Sequence, residues 1–386
     1  MLMNPPIHLL QRISGDPNVE AFQGSFAHIR REVCNYLGEA GFDFAKFRNI
    51  LDMGCGVGRF LFAFQPELAP GQRLFGCEVH EECARWCREN IDFATVVHNP
   101  IHPPLPFPEQ FDLVYALSVF THLRLDLQFE WAWEIYRVLR PGGVFFLTLH
   151  GPQFFHALYK PLCDRRPRVK RGGLRARLFP SFYNPLCDRA AHNGEIYSVG
   201  NDGLFAYLSY RGKDGDEGQI EVAAAHTPSC VEEIFSAFRI AKRIPQSLMA
   251  GGQDVYVLQK PLDAKPLALP QNVQQSVVHE RLRQSPDGGI ELKFTLEGQK
   301  TFSVYPCAMP NGIYPVECQI RVTAGQQVVL DEKRAINNNR VFGETHYTPL
   351  HVPLPQLAGP VSIHLRDIAP AATGNTDINW SFPHCR

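Results

Sequence analysis

An apolar run that stops abruptly in glycines constrains this 386-residue chain more than any other feature. Ile50-Leu51-Asp52-Met53 reads as a buried strand. Gly54-Cys55-Gly56-Val57-Gly58 follows at once, and a helical run opens at Arg59. Glycines at a strand-to-helix turn let the backbone bend sharply and approach a ligand closely. Twenty residues past Gly58, a second apolar run, Arg73–Cys77, ends in Glu78. A carboxylate at the tip of a second strand is placed to accept hydrogen bonds from both hydroxyls of a ribose. The plain structural alternative is a surface acid that opens a helix.

Beyond the turn, short apolar runs alternate with helical stretches. The expected strands are Asn49–Met53, Arg73–Cys77, Thr95–His98, Leu113–Leu117, Val144–Leu149, Arg239–Ile244 and Val255–Leu258. The expected helices lie near Gly58–Phe64, Glu81–Ile91, Leu127–Leu139 and Pro228–Phe238. This alternation predicts an α/β fold, a Rossmann-like, mostly parallel seven-stranded sheet covered on both faces. Residues 1–48 read as an N-terminal helical cap, with Phe26, Ile29, Val33 and Leu37 at helical spacing and Gly38 as a stop. Residues 49–261 form the main domain, interrupted at 152–226 by an insert read as a substrate lid. Within it, Lys160 to Arg189 holds nine Lys or Arg against two Asp. Residues 262–288 read as a linker. Residues 289–386 show strands and turns without helical periodicity, which predicts an all-β sandwich or jelly roll.

Charge narrows the function classes. Lys plus Arg number 38 and Asp plus Glu 39, so no global field draws nucleic acid or an acidic membrane, and no nucleic-acid partner is expected. The start lacks a signal-peptide pattern and no apolar run approaches bilayer length, so a cytoplasmic place is expected. Eleven scattered cysteines, without a CxxC pair, suggest neither a disulfide framework nor a zinc ribbon. Cys77, Cys83 and Cys87 read as core packing, and no metal is expected.

The glycines run GxGxG at 54, 56 and 58, with Asp52 two residues before. Phe111-Asp112-Leu113-Val114-Tyr115-Ala116 and Tyr136-Arg137-Val138-Leu139-Arg140-Pro141-Gly142-Gly143 follow in order. Over roughly residues 28–261 this resembles the class I S-adenosylmethionine-dependent methyltransferases. Ser118-Val119-Phe120-Thr121-His122-Leu123, Pro103-Pro104-Leu105-Pro106-Phe107 and Gln253-Asp254 look like a bacterial subgroup of them. The resemblance implies S-adenosylmethionine as cofactor. It implies that Gly54, Cys55, Gly56 and Gly58 line it through backbone contact, that Asp52 orders the loop, that Glu78 holds the ribose and that Val79 packs the adenine. Asn99 and Pro100 fall where the family contacts the adenine edge, and Leu117 and Ser118 fall beside the methionine portion.

Methyl transfer to a hydroxyl benefits from a general base, and histidine has a suitable pKa. His122 and His150 both follow strands at the ligand edge of such a sheet, and His226 precedes a helix; each has a packing or capping role as its alternative. The expected function is methyl transfer to an oxygen or nitrogen of a polar metabolite or glycan; the basic insert reads as a solvated loop, with contact to an anionic acceptor or to RNA as the alternatives. The competing reading is a non-catalytic binding or scaffold protein with a vestigial cofactor site and a carbohydrate-binding or dimerising β domain, which would make a homo-oligomer. A nicotinamide oxidoreductase would want a helical Tyr with Lys four residues on. The pair Tyr256 and Lys260 lies instead in a strand-like run.

Overall fold

The computed structural model describes residues 5–14, 18–108, 110–156, 194–200, 202–209, 222–248, 252–271, 289–308, 316–336, 345–347, 350–368 and 378–385. They fall into two compact units. One comprises Met1–Gly194, Ala206–His226 and Phe238–Leu262, the other Glu195–Phe205, Thr227–Ala237 and Asp263–Arg386. The basic run from Lys160 to Arg189, with most of the expected lid, lies outside the described residues.

The first unit opens with helices α1 (Ile7–Ser14), α2 (Val19–Gly24) and α3 (Phe26–Glu39). Ile29, Val33 and Leu37 of α3 are buried as their spacing predicts. The helix runs one residue past Gly38 and stops before Gly41, whose φ of 87° suits a glycine. The sheet follows: β1 (Asn49–Met53), α4 (Arg59–Phe64), β2 (Arg73–Glu78), α5 (Glu81–Asn90), β3 (Ala94–His98), β4 (Phe111–Ala116), α6 (Leu125–Val138) and β5 (Leu139–Leu149). After β5 come β6 (Gly194–Val199), β7 (Gly203–Ser209), β8 (Val222–His226), helix α7 (Pro228–Ile234), β9 (Arg239–Leu248) and β10 (Gln253–Gln259).

The sheet order is β3-β2-β1-β4-β5-β10-β9. The first five strands pair in parallel and β10 runs antiparallel to both neighbours. Every residue of β1 is buried, because helices cover both faces of a parallel sheet. The core joins Val33 and Leu37 of α3 to Ile50, Leu113, Val144 and Val257.

Strand β8 departs from the sequence reading, which assigned no strand between 152 and 226. Ala223, Ala224 and Ala225 are buried, and Ala225 bridges His150 in parallel. An alanine run carries helical propensity, and pairing with β7 and with the end of β5 holds it extended. Likewise Arg140-Pro141-Gly142-Gly143, ahead of the expected strand Val144–Leu149, lies within β5, with Gly142 at φ 78°.

In the second unit β11 (Gly289–Glu297), β12 (Thr301–Ala308), β13 (Val316–Ala324), β14 (Gln327–Ile336), β15 (Thr345–Tyr347), β16 (Leu350–Pro353), β17 (Ala358–Ile368) and β18 (Ile378–Cys385) complete the chain. One sheet has the order β11-β17-β13-β14, all antiparallel. Strand β12 pairs with β15, β16 and β18 in another. Alternate residues of β11 are buried, and Leu292, Phe294, Phe302, Ile320, Val352 and Ile363 share one core drawn from both sheets. The Glu233 carboxylate on α7 accepts from Tyr305 Oη at 3.0 Å and His351 Nε2 at 3.1 Å. The remaining ring nitrogen of His351 faces Ser303 Oγ at 2.9 Å; the serine is fully buried, so this is a structural string of hydrogen bonds.

Two polar pegs in the first unit hold strands and loops in register. Asp112 Oδ2 accepts the backbone N–H groups of Arg48 and Asn49, each at 2.8 Å, which fixes the entry to β1 against β4. Gln128 donates to the carbonyls of Phe120 and Leu123 at 2.7 and 2.9 Å, so its Oε1, 3.1 Å from His226 Nε2, is an acceptor. His226 is therefore the neutral tautomer with hydrogen on Nε2. It is fully buried, and burial, with the neighbouring His150, pushes its pKa down to about 3.

Replacing Asp112 by Ala leaves two backbone donors without their acceptor and should cost about 1–3 kcal/mol in a denaturant titration. His226 gives a pH signature. Below the unfolded value of 6.5, the unfolded chain binds a proton that the folded site refuses until about pH 3. Stability therefore falls with acidification, by up to about 1.4 kcal/mol per pH unit from this group. His226→Gln should flatten the dependence of Tm on pH between 7 and 5; an unchanged slope would contradict the buried neutral assignment.

Candidate functional site

The glycine turn is built into the sheet. Gly54, Gly56 and Gly58 have φ values of 72°, 55° and 81°, in the left-handed region. The N–H groups of Gly54 and Cys55 both donate to Cys77 O on β2, at 2.8 and 3.0 Å. A Cβ on Gly54 would lie 2.6 Å from Val119 Cγ2, and one on Gly58 would lie 2.5 Å from Ile91 Cδ1. Side chains are thus excluded at both positions by conformation and by space.

Glu78 points at this turn. Its Oε2 accepts the Gly56 N–H at 2.7 Å and its Oε1 accepts the His80 N–H at 2.8 Å. Burial raises its pKa; the N–H groups of His80, Gly56 and Val79 and the neighbouring His98 pull the other way. The carboxylate therefore joins the tips of β1 and β2, with further oxygen lone pairs for a ligand hydroxyl.

A cavity of about 460 Å³ opens over these tips, within the usual range for small-molecule sites. Of the residues singled out from sequence, Gly54, Cys55 and Gly56 form part of its wall, as do Glu78, Val79 and Asn99, then Leu117, Ser118 and His122. Asp52, Gly58, Pro100, His150 and His226 do not line it. Asp52 is fully buried beneath the turn. Burial and the Glu78 charge push its carboxyl well above the usual range, the Tyr115 hydroxyl favours the charged form, and neither oxygen makes a well-formed hydrogen bond. Gly58 caps α4. The carbonyl of Pro100 accepts from Asn99 Nδ2 at 2.8 Å, which fixes the loop after β3.

The three histidines separate by environment. His122 sits in the 3-10 turn Phe120–His122 at the cavity wall. His150 stacks on Phe154 at 3.9 Å between ring centroids, and burial pushes its pKa down to about 4. His226 acts on the cavity only at a distance, through Gln128 and the carbonyls on either side of His122. Tyr256 and Lys260 form no catalytic pair: the lysine is buried, bonded to Leu139 O at 2.7 Å and set over the Tyr136 ring.

Several wall residues carried no sequence signal, and one, Gln253, enters the sequence reading only as part of the resemblance. Arg12, Ile13 and Phe22 come from the N-terminal helices, and Arg59 opens α4. Gln253 comes from the first position of β10, 135 residues beyond Ser118, and donates to Ser118 Oγ at 2.8 Å. Ser118 itself stands at φ 62°, its N–H bonded to Thr148 Oγ1 at 2.8 Å. Thr121 Oγ1 donates to Ser118 O, so the Ser118 hydroxyl donates to Thr121 and must accept from the Gln253 amide. This leaves Gln253 Oε1 as a buried acceptor without a partner among the described residues. A positive φ on serine is legible only in the structure.

The wall fits a nucleoside with a polar tail: a carboxylate for ribose hydroxyls, a floor kept open by glycine, and apolar walls from Val79, Leu117 and Ile101. The family model described as a methyltransferase domain matches residues 51–147. Among solved structures, an S-adenosylmethionine-dependent methyltransferase from Clostridium acetobutylicum is 12% identical, covering 66% of this chain and 97% of that one at a TM-score of 0.39. A SAM-dependent methyltransferase from Methanosarcina mazei is 18% identical, covering 56% and 93% at 0.36. An amino pentose methyltransferase from Micromonospora echinaspora is 15% identical, covering 62% and 94% at 0.36. The matched family model spans the glycine turn, Glu78 and the central strands, and the chain thus carries an S-adenosylmethionine-dependent methyltransferase domain.

Proposed function

We propose that this enzyme transfers the methyl group to an oxygen or nitrogen of a polar small molecule or glycan by in-line displacement. The observation that carries the reading is the continuous wall from Glu78, past the glycine turn, to Ser118 and His122. When bound, S-adenosylmethionine supplies an electrophilic methyl on a sulfonium that needs no further activation. The chain's own task is then to hold the two reactants in line and keep water out. Glu78 holds the ribose, Val79 and Asn99 flank the adenine, and Gly54, Cys55 and Gly56 give the close backbone approach. Leu117 and Ser118 border the methionine portion. Of the three candidate histidines, His122 is the one at the cavity wall, and it takes the proton of an attacking hydroxyl or positions that group. His226 supports it from behind through Gln128.

The Ser118–Leu123 turn and the Gln253-Asp254 pair support placement in the bacterial subgroup named above. The core shared by two sheets supports a sandwich for residues 289–386, and we assign it an accessory or oligomerising role. The N-terminal helices act as a cap; the basic run of the insert lies outside the described residues. Eight cysteines among the described residues are free, which supports a reducing, cytoplasmic compartment. Among the described residues no helix is long and apolar enough to cross a membrane.

Calorimetric titration with S-adenosylmethionine should give a dissociation constant in the micromolar range. Glu78→Ala and Gly54→Val should weaken it at least about tenfold, the first by removing a charged acceptor and the second by collision with Val119. No binding to the wild-type protein would end the proposal. For the acceptor, methyl-labelled cofactor should be incubated with fractionated cell extract. One fraction should take up label, and His122→Ala should slow that uptake by about 10²–10⁴-fold with cofactor affinity unchanged.

A further inference from the structure

The first residue of β10 is a polar wall residue that cofactor binding leaves without a task. Gln253 is 6% exposed and borders the cavity. The residue beside it is fully engaged elsewhere. Asp254 Oδ2 accepts from Arg243 Nε and Nη2 at 3.2 and 2.9 Å, and Oδ1 accepts the Gln246 N–H at 3.1 Å. A Cβ on Gly151, just past β5, would lie 2.4 Å from the Asp254 carboxyl, so packing wedges that acid as well. Successive strand residues point to opposite faces. Asp254 thus locks β10 to β9, and Gln253 is held at the cavity wall.

Its amide has one orientation. The single Thr121 hydroxyl hydrogen goes to Ser118 O at 2.9 Å, so the Ser118 hydroxyl donates to Thr121 Oγ1 at 3.3 Å. The Ser118 oxygen then accepts from Gln253 Nε2 at 2.8 Å. Gln253 Oε1 remains a buried acceptor with no partner among the described residues. A buried acceptor without a donor is unfavourable, and this chain of hydrogen bonds keeps the amide from turning it elsewhere.

Position separates this amide from the ribose acid. Glu78 ends β2, and β10 stands four places further along the sheet, roughly 20 Å at ordinary strand spacing. Ser118, to which Gln253 is bonded, leads into the 3-10 turn that carries His122.

We propose that Gln253 is a specificity residue for the methyl acceptor: its Oε1 accepts a hydrogen bond from a hydroxyl or amine of that molecule and holds the group near His122. This role rests on the methyltransferase reading and narrows the substrate class within it. An oxygen that only accepts recognises a neutral or cationic donor and disfavours a carboxylate or phosphate at the same place. A site built to bond a substrate O–H or N–H also rejects analogues that lack it, because the buried acceptor is then left unpaired.

Calorimetry and label uptake on the full chain test this role. The probes are S-adenosylhomocysteine and the extract fraction that takes up label from methyl-labelled S-adenosylmethionine. Gln253→Met keeps the side-chain length and removes the acceptor; Gln253→Glu keeps an acceptor oxygen. Gln253→Met should bind S-adenosylhomocysteine within about twofold of wild type, which also reports an intact cavity, while the amount of fraction giving half-maximal uptake rises at least about tenfold. Gln253→Glu should recover part of that loss. Uptake by Gln253→Met that matches wild type overturns the role, as does a maximal rate that falls with the half-saturating amount unchanged. Loss of S-adenosylhomocysteine affinity in step with uptake assigns the amide to the cofactor and overturns it too, and so does a Gln253→Glu protein as impaired as Gln253→Met. A wild-type protein that binds no S-adenosylhomocysteine, or binds it and labels no fraction, overturns the methyltransferase reading itself, before any variant is made.

Discussion

The bond between the Glu78 carboxylate and the Gly56 N–H is the interaction on which the site depends. It joins the tip of β2 to the turn after β1, and the two N–H groups bonded to Cys77 O join them a second time. Without these ties the left-handed glycines would be a flexible loop, since glycine loses more conformational freedom on ordering than any other residue. With them, the turn is a rigid floor and the acid is already aimed. Preorganisation of this kind means that a ligand need not supply the ordering free energy itself.

Around that floor, several fully bonded polar groups are structural. Gln128 is saturated by two carbonyls and His226, and Lys260 bonds Leu139 O in the core. Gln253 Oε1 at the cavity wall and both carboxylate oxygens of Asp52 beneath the turn lack a hydrogen-bond partner among the described residues. Buried polar groups are normally paired, so an incomplete set at a cavity wall points to the chemistry of what enters.

The histidines show how burial sorts residues that look alike in sequence. His122, His150 and His226 all lie near strand ends, where a general base would be sought. Packing gives them different properties: His226 and His150 are held neutral well below ordinary histidine values, and His122 borders the cavity. The alanine run of β8 was similarly illegible, because its extended form comes from pairing with β7 and the end of β5 and not from its own preference.

The sequence alone determined the sheet strands, the glycine turn and Glu78, because a buried parallel strand demands an unbroken apolar run and a left-handed turn demands residues without a side chain. Both requirements are local, so they are written locally. Only the tertiary structure decided that Arg12, Phe22, Arg59 and Gln253 meet around one cavity, that Ser118 adopts a positive φ, and which histidine borders that cavity. Those outcomes depend on contacts between segments as far apart as Arg12 and Gln253, and no local pattern encodes which distant residue closes a wall.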